Sequence, residues 1–114
     1  MLKGGRPFLA LGASGGPRII SSVLQVALHV MEGKPLEEAM TELRLHHQWQ
    51  PDEVFFDRAP PSEIVTQLES CGHKLSDKRQ SGIVQAIQFL EDGTMIGASD
   101  PKKGGRPAGA DRTD

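Results

Sequence analysis

An apolar run that breaks into glycines and restarts at a proline constrains this chain more than any other stretch. Phe8-Leu9-Ala10-Leu11 leads into Gly12-Ala13-Ser14-Gly15-Gly16, then Pro17-Arg18-Ile19-Ile20. The pattern predicts a strand, a glycine loop and a helix, with Pro17 as a first helical residue whose missing N–H costs nothing. Such a junction leaves backbone N–H groups unpaired at a helix N-terminus, aligned and carrying partial positive charge. Phosphate, carboxylate and a developing oxyanion all suit that place.

The helix is expected to run to about Met31, with Gly33 as its stop. Arg18, Ser22, Gln25 and His29 form a polar stripe, and apolar residues cover the rest of its surface, so it should be enclosed on most sides. Pro35 opens a second helix with Leu36, Ala39, Met40 and Leu43 on one face. Residues 44–49 and 53–57 read as extended, and Pro60-Pro61 introduces a helix over Ser62–Ser70 that packs Ile64, Val65 and Leu68. Ser81–Leu90 is apolar on both faces, which predicts a strand between two layers. Asp92-Gly93 predicts a two-residue hairpin back through Thr94–Ala98. The order β-α-α-β-β-α-β-β-β gives an α+β class, mixed α/β with a mainly antiparallel sheet. Residues 1–101 form the folded part, and 102–114, rich in Gly, Pro and charge, read as a disordered tail.

A chain of 114 residues holds at most one modest core. Hydrophobic residues make up 37%, with no Tyr, one Trp and four Phe, so part of the buried surface should face another chain or a further segment. Thirteen Lys and Arg stand against 15 Asp and Glu without a basic stripe, which argues against a nucleic-acid partner. No apolar stretch approaches the roughly 20 residues that span a bilayer, so no membrane partner is expected. The single Cys71 excludes an internal disulfide and reads as a small apolar filler. No signal-peptide h-region follows Met1.

Residue chemistry alone leaves several readings of the loop open. Gly12-Ala13-Ser14-Gly15-Gly16 matches G-x-S-x-G, with Ser14 as nucleophile, His73 as base and Asp52, Asp57 or Asp77 as orienter. That reading needs a parallel sheet and about twice this length. Phosphate binding lacks the Lys-Ser/Thr that follows such glycines. The glycines could equally serve close packing. His46 and His47, adjacent on a strand, point to opposite faces and so cannot easily share one metal ion; His46-His47 beside Trp49 reads as structural. His29 is expected to hydrogen-bond a neighbouring element, and Asp100 to form a turn.

Four segments together resemble one family. Gly12–Ile20 is similar to the G-S-P-G-G-x-R-I segment of γ-glutamyltranspeptidases, and Arg44-Leu45-His46-His47-Gln48-Trp49-Gln50-Pro51-Asp52 to their R-x-H-H-Q-W-x-P-D segment. Leu68–Lys74 is similar to their L-x-x-x-G-H-K stretch, and Gly97-Ala98-Ser99-Asp100-Pro101 to their closing G-A-S-D-P. The resemblance covers about residues 1–105 and corresponds to the C-terminal part of the small subunit.

That resemblance implies part of an N-terminal-nucleophile hydrolase αββα sandwich. Such enzymes transfer the γ-glutamyl group of glutathione and related compounds to water or an amino acid, through an acyl-enzyme on an N-terminal threonine whose α-amino group is the base. It implies no cofactor and no metal, and it assigns Gly15 and Gly16 to the oxyanion hole through their backbone N–H groups. The threonine, the serine pair for the substrate α-carboxylate and the acidic residues for its amino group are expected upstream of Met1, which makes the isolated chain inactive. The implied partners are the upstream part of the small subunit and the large subunit, or self-association through exposed sheet edges. The γ-glutamyl substrate is expected only in the complete enzyme. A non-catalytic remnant, or an oligomerisation or binding module reusing the fold, is the alternative. The resemblance implies a periplasmic or secreted location for the complete protein, and the cytoplasm for the chain expressed alone.

Overall fold

The computed structural model describes residues 1–110. The first strand pair is a small hairpin, β1 (Leu2–Lys3) and β2 (Arg6–Pro7), turned by Gly4-Gly5. Then come β3 (Leu9–Ser14), α1 (Arg18–Met31), α2 (Leu36–Thr41), β4 (Leu45–His46) and β5 (Val54–Phe56). The chain continues through α3 (Ser62–Ser70), β6 (Leu75–Arg79), β7 (Ile83–Phe89) and β8 (Met95–Ser99). No helix among the described residues is long and apolar enough to cross a membrane.

Two three-stranded sheets organise these elements. One has the order β3-β7-β8 and is antiparallel throughout, with Leu9 opposite Gln88, Ser14 opposite Ile83 and Ala86 opposite Ala98. Alternation along β3 and β7 puts Leu9, Val84 and Ala86 on one face, where they pack with Val26, Val30, Leu36, Ala39 and Met40. The second sheet, β4-β5-β6, joins an antiparallel to a parallel pair and buries Val54, Phe55 and Phe56.

The other face of the first sheet has no second layer among the described residues. Gln85 and Ile87 are exposed there, so β7 is covered on one side, contrary to the two-layer expectation. The segment after Asp100 runs close over that face: Pro107 lies against Gly97, and Gly105 against Ser99. The tail expectation for 102–114 also extends over 111–114, outside the described residues.

Helix α1 divides into three sectors. Val26, Ala27 and Val30 are buried in the core, Ser21, Ser22 and Gln25 reach polar partners, and Ile20, Leu24, Leu28 and Met31 are exposed. The wide apolar arc therefore exceeds what the described residues cover. The helix ends at Gly33, whose φ of 95° lets the Gly33 and Lys34 N–H groups reach the Val30 and His29 carbonyls.

Several local expectations change. Helix α2 stops at Thr41, leaving Leu43 outside it, and β4 is two residues long. Ile64, Val65 and Leu68 are the half-buried residues of α3, and none is fully buried. Cys71 caps α3 and is exposed, so it fills no core space. The β7–β8 hairpin uses three residues, Glu91-Asp92-Gly93, because the Leu90 N–H donates to Thr94 O and only Gly93 of the loop has positive φ.

Candidate active site

The glycine loop sits where β3, an edge strand of the first sheet, hands the chain to α1. Gly15 has φ 135° and Gly16 has φ 59°, conformations that L side chains adopt at a cost and glycine adopts freely. Their carbonyls turn towards the helix, accepting from the Arg18 N–H at 3.3 Å and the Ile19 N–H at 3.0 Å. Neither the Gly15 nor the Gly16 N–H donates to a protein acceptor among the described residues. Gly15 is half-buried and Gly16 exposed.

Electrostatics favour an anion at these amides. The first turn of α1 holds no acidic side chain, and Pro17 provides no side-chain cap, so the positive helix end is uncompensated. Arg18 adds a cation beside the loop and is held there by its Nη1 hydrogen bond to Gln80 Oε1 at 2.9 Å.

Buried polar side chains fasten the surroundings. Ser22, 1% exposed, accepts the Gly82 N–H at 2.9 Å. Arg44 and Asp100 are both fully buried and pair at 2.7 Å. Arg44 Nη1 also donates to Gly82 O at 3.1 Å, and Nη2 to Met40 O at 2.8 Å. Asp100 accepts the Val84 and Lys102 N–H groups, each at 3.0 Å. Burial alone would raise the Asp100 carboxyl, but the Arg44 hydrogen bond and these two amides hold it below the usual carboxylate range. Asp100 is therefore a core anchor as well as the expected turn former, its carbonyl accepting the Lys103 N–H at 3.2 Å.

The second sheet is tied to α1 in the same manner. Gln25 uses its side-chain amide like an extra strand: Nε2 donates to Leu45 O at 2.8 Å and Oε1 accepts the Leu45 N–H at 3.0 Å. His46 is buried with Nδ1 at 2.7 Å from Ser21 Oγ and Nε2 at 2.8 Å from Gln48 Oε1, so both ring nitrogens have protein partners. His47 points the other way, 3.0 Å from Asp52. Among the described residues His29 Nδ1 has no hydrogen-bond partner on a neighbouring element; Glu32 of its own helix lies 3.6 Å away.

A serine nucleophile does not assemble. Ser14 is the last residue of β3 and carries no positive φ, unlike the strained turn a nucleophile elbow needs. Its hydroxyl has no hydrogen bond to a His or Asp among the described residues. His73 packs its ring instead against His47, with centroids 6.3 Å apart.

This loop geometry coincides with a family pattern along the whole described chain: the model for gamma-glutamyltranspeptidase matches residues 1–110. The chain belongs to the γ-glutamyltranspeptidase family. It is 39% identical over 110 residues to scoloptoxin SSD14 of Scolopendra dehaani, covering 95% of this chain and 19% of that protein. With the glutathione hydrolase proenzyme of Escherichia coli K12 it shares 37% identity over 103 residues, 90% of this chain and 18% of the relative. Among solved structures, the T380A mutant of the Helicobacter pylori γ-glutamyltranspeptidase superposes with a TM-score of 0.84 at 36% identity, covering 90% of this chain and 58% of that one. The W525D mutant of the Pseudomonas nitroreducens enzyme gives 0.89 at 31% identity, covering 98% and 60%. The chain thus has the α+β fold of an N-terminal-nucleophile hydrolase family and spans about a fifth of the length of these two curated relatives.

The sequence pattern had pointed to the loop and to the polar stripe of α1, but not to what the stripe grips. Gly82, immediately before β7, is the available signal for a close backbone approach.

Proposed function

We propose that this chain supplies the oxyanion hole of a γ-glutamyl-transferring enzyme, with Gly15 and Gly16 as the donors. The observation that carries the reading is a pair of consecutive, unpaired amides at an uncompensated helix N-terminus. Attack on a γ-glutamyl amide creates a tetrahedral oxyanion, and donors fixed beforehand stabilise it without reorganising as it forms. The nucleophile, an N-terminal threonine, comes from a segment outside these 114 residues. The same reading assigns the apolar sector of α1 and the open face of β3-β7-β8 to contacts with the rest of the enzyme, since exposed apolar surface of this extent marks an interface.

Complementation tests the proposal. The chain is co-expressed with the E. coli proenzyme truncated before the 103 residues that it matches, and p-nitroaniline release from γ-glutamyl-p-nitroanilide is followed. The chain alone is expected to be silent and the pair active. Turnover by the chain alone, or an assembled pair without turnover, refutes the reading. Size-exclusion chromatography separates it from the competing reading, a non-catalytic module: co-elution with the truncated proenzyme supports the oxyanion reading, and a chain that runs alone in the presence of the truncated proenzyme favours the module.

A further inference from the structure

Gly82 touches the proposed oxyanion loop from behind, and its surroundings are built to hold it still. Its own φ is one that any residue adopts, so conformation does not explain the glycine. Space does. A Cβ there would lie 2.9 Å from Ser22 Oγ, 3.1 Å from Arg18 O and 3.2 Å from Ser14 O, the last two being backbone on either side of Gly15-Gly16. A Cβ on Gly15 would in turn lie 3.0 Å from Gly82 Cα. The two glycine backbones thus pack against each other with no room for a side chain between them.

Both polar groups of Gly82 are then gripped by buried side chains. Its N–H donates to Ser22 Oγ, and its carbonyl accepts from Arg44 Nη1, which the Asp100 carboxylate holds in place. Ser22 lies one turn into α1, so the same helix that begins at the loop also clamps the loop's backstop. A buried hydroxyl without a partner is costly, and here its partner is the one amide that abuts Gly15.

We infer that Ser22 is a positioning residue for γ-glutamyl transfer: through Gly82 it fixes the direction of the Gly15 amide against the developing oxyanion. The inference rests on the oxyanion reading above. Displacing a catalytic group by about 1 Å can cost roughly 10²-fold in rate, so a loosened backstop should act on kcat more than on KM.

Ser22→Ala removes the acceptor without adding bulk. In the complemented enzyme it is expected to lower kcat about 10- to 10²-fold with KM within about twofold. Val54→Ala, in the buried strand of the second sheet, is the comparison: it should lower thermal stability and leave kcat alone. A second readout needs no activity. In ¹⁵N-correlated NMR spectra of the 114-residue chain, Ser22→Ala should shift the Gly15 and Gly16 amides and accelerate Gly82 amide exchange, and Val54→Ala should do neither. If Ser22→Ala keeps kcat, or leaves the Gly15 and Gly16 amide resonances in place, the positioning role is overturned. Replacing the Gly15 N–H itself by an ester oxygen separates the two readings: a rate lost there but kept in Ser22→Ala sinks this inference alone, and a rate kept in both sinks the oxyanion reading as well.

Discussion

Arg44→Met tests whether the buried ion pair holds the fold together around the loop. The substitution keeps an unbranched apolar stem and removes the guanidinium. Asp100, fully buried, then loses its 2.7 Å partner but keeps the Val84 and Lys102 amides and the Lys102 ammonium at 3.5 Å. The Met40 carbonyl loses a donor, while Gly82 O retains Ser81 Oγ at 3.0 Å. Breaking a buried pair typically costs 3–5 kcal/mol, and the surviving donors place this case at the low end, about 3 kcal/mol. Small domains have only about 5–15 kcal/mol in total, so the loss should appear as a fall in Tm of roughly 10–20 °C. Urea unfolding followed by circular dichroism, run on Arg44→Met, Asp100→Asn and the double variant, gives the coupling. About 2 kcal/mol of non-additivity is expected for groups in direct contact. A cost under about 0.5 kcal/mol for Arg44→Met, or strictly additive single effects, would refute the reasoning.

Two further outcomes follow from the same contacts. The depressed Asp100 carboxyl contributes stability that is present above the ordinary aspartate value of about 3.9 and is lost as pH falls through its lower folded value. The acid limb of the stability curve should therefore flatten in Asp100→Asn, and also in Arg44→Met, where loss of the guanidinium brings the folded value back towards the unfolded one; unchanged limbs in pH-dependent urea titrations would contradict this. Gln25→Ala removes both bonds to the Leu45 backbone and should cost about 1–2 kcal/mol. Faster hydrogen exchange at the Leu45 amide would accompany it, and exchange at the wild-type rate would show that the Gln25 clamp is not formed.

What the sequence reveals follows from how local each feature is. The Phe8–Ile20 strand, loop and helix are written in turn residues and periodicity, and β3, α1 and the Gly15–Gly16 loop follow that pattern. Pro35 and Pro60-Pro61 mark α2 and α3 because proline acts on its nearest neighbours. The tertiary partners are not local. Arg44 and Asp100 are 56 residues apart, and Ser22 and Gly82 are 60 apart. Nothing in either neighbourhood shows that Asp100, read as a turn former before Pro101, would meet a buried guanidinium. Cys71 and β7 differ for a related reason: apolar character does not by itself fix burial, so Cys71 is exposed and, among the described residues, the second face of β7 is open. The Gly15–Gly16 assignment itself came through family resemblance, since strand–glycine–helix geometry alone suits several anions.

The most direct measurement exchanges one atom. Assembling the chain by ligation with glycolic acid in place of Gly15 turns the Ser14–Gly15 amide into an ester, removing the N–H while leaving the positive φ accessible and adding no Cβ against Gly82. In the complemented enzyme, kcat for γ-glutamyl-p-nitroanilide should fall about 10²–10³-fold, the usual loss for one oxyanion donor, with KM nearly unchanged. A kcat equal to that of the all-amide chain would contradict the account.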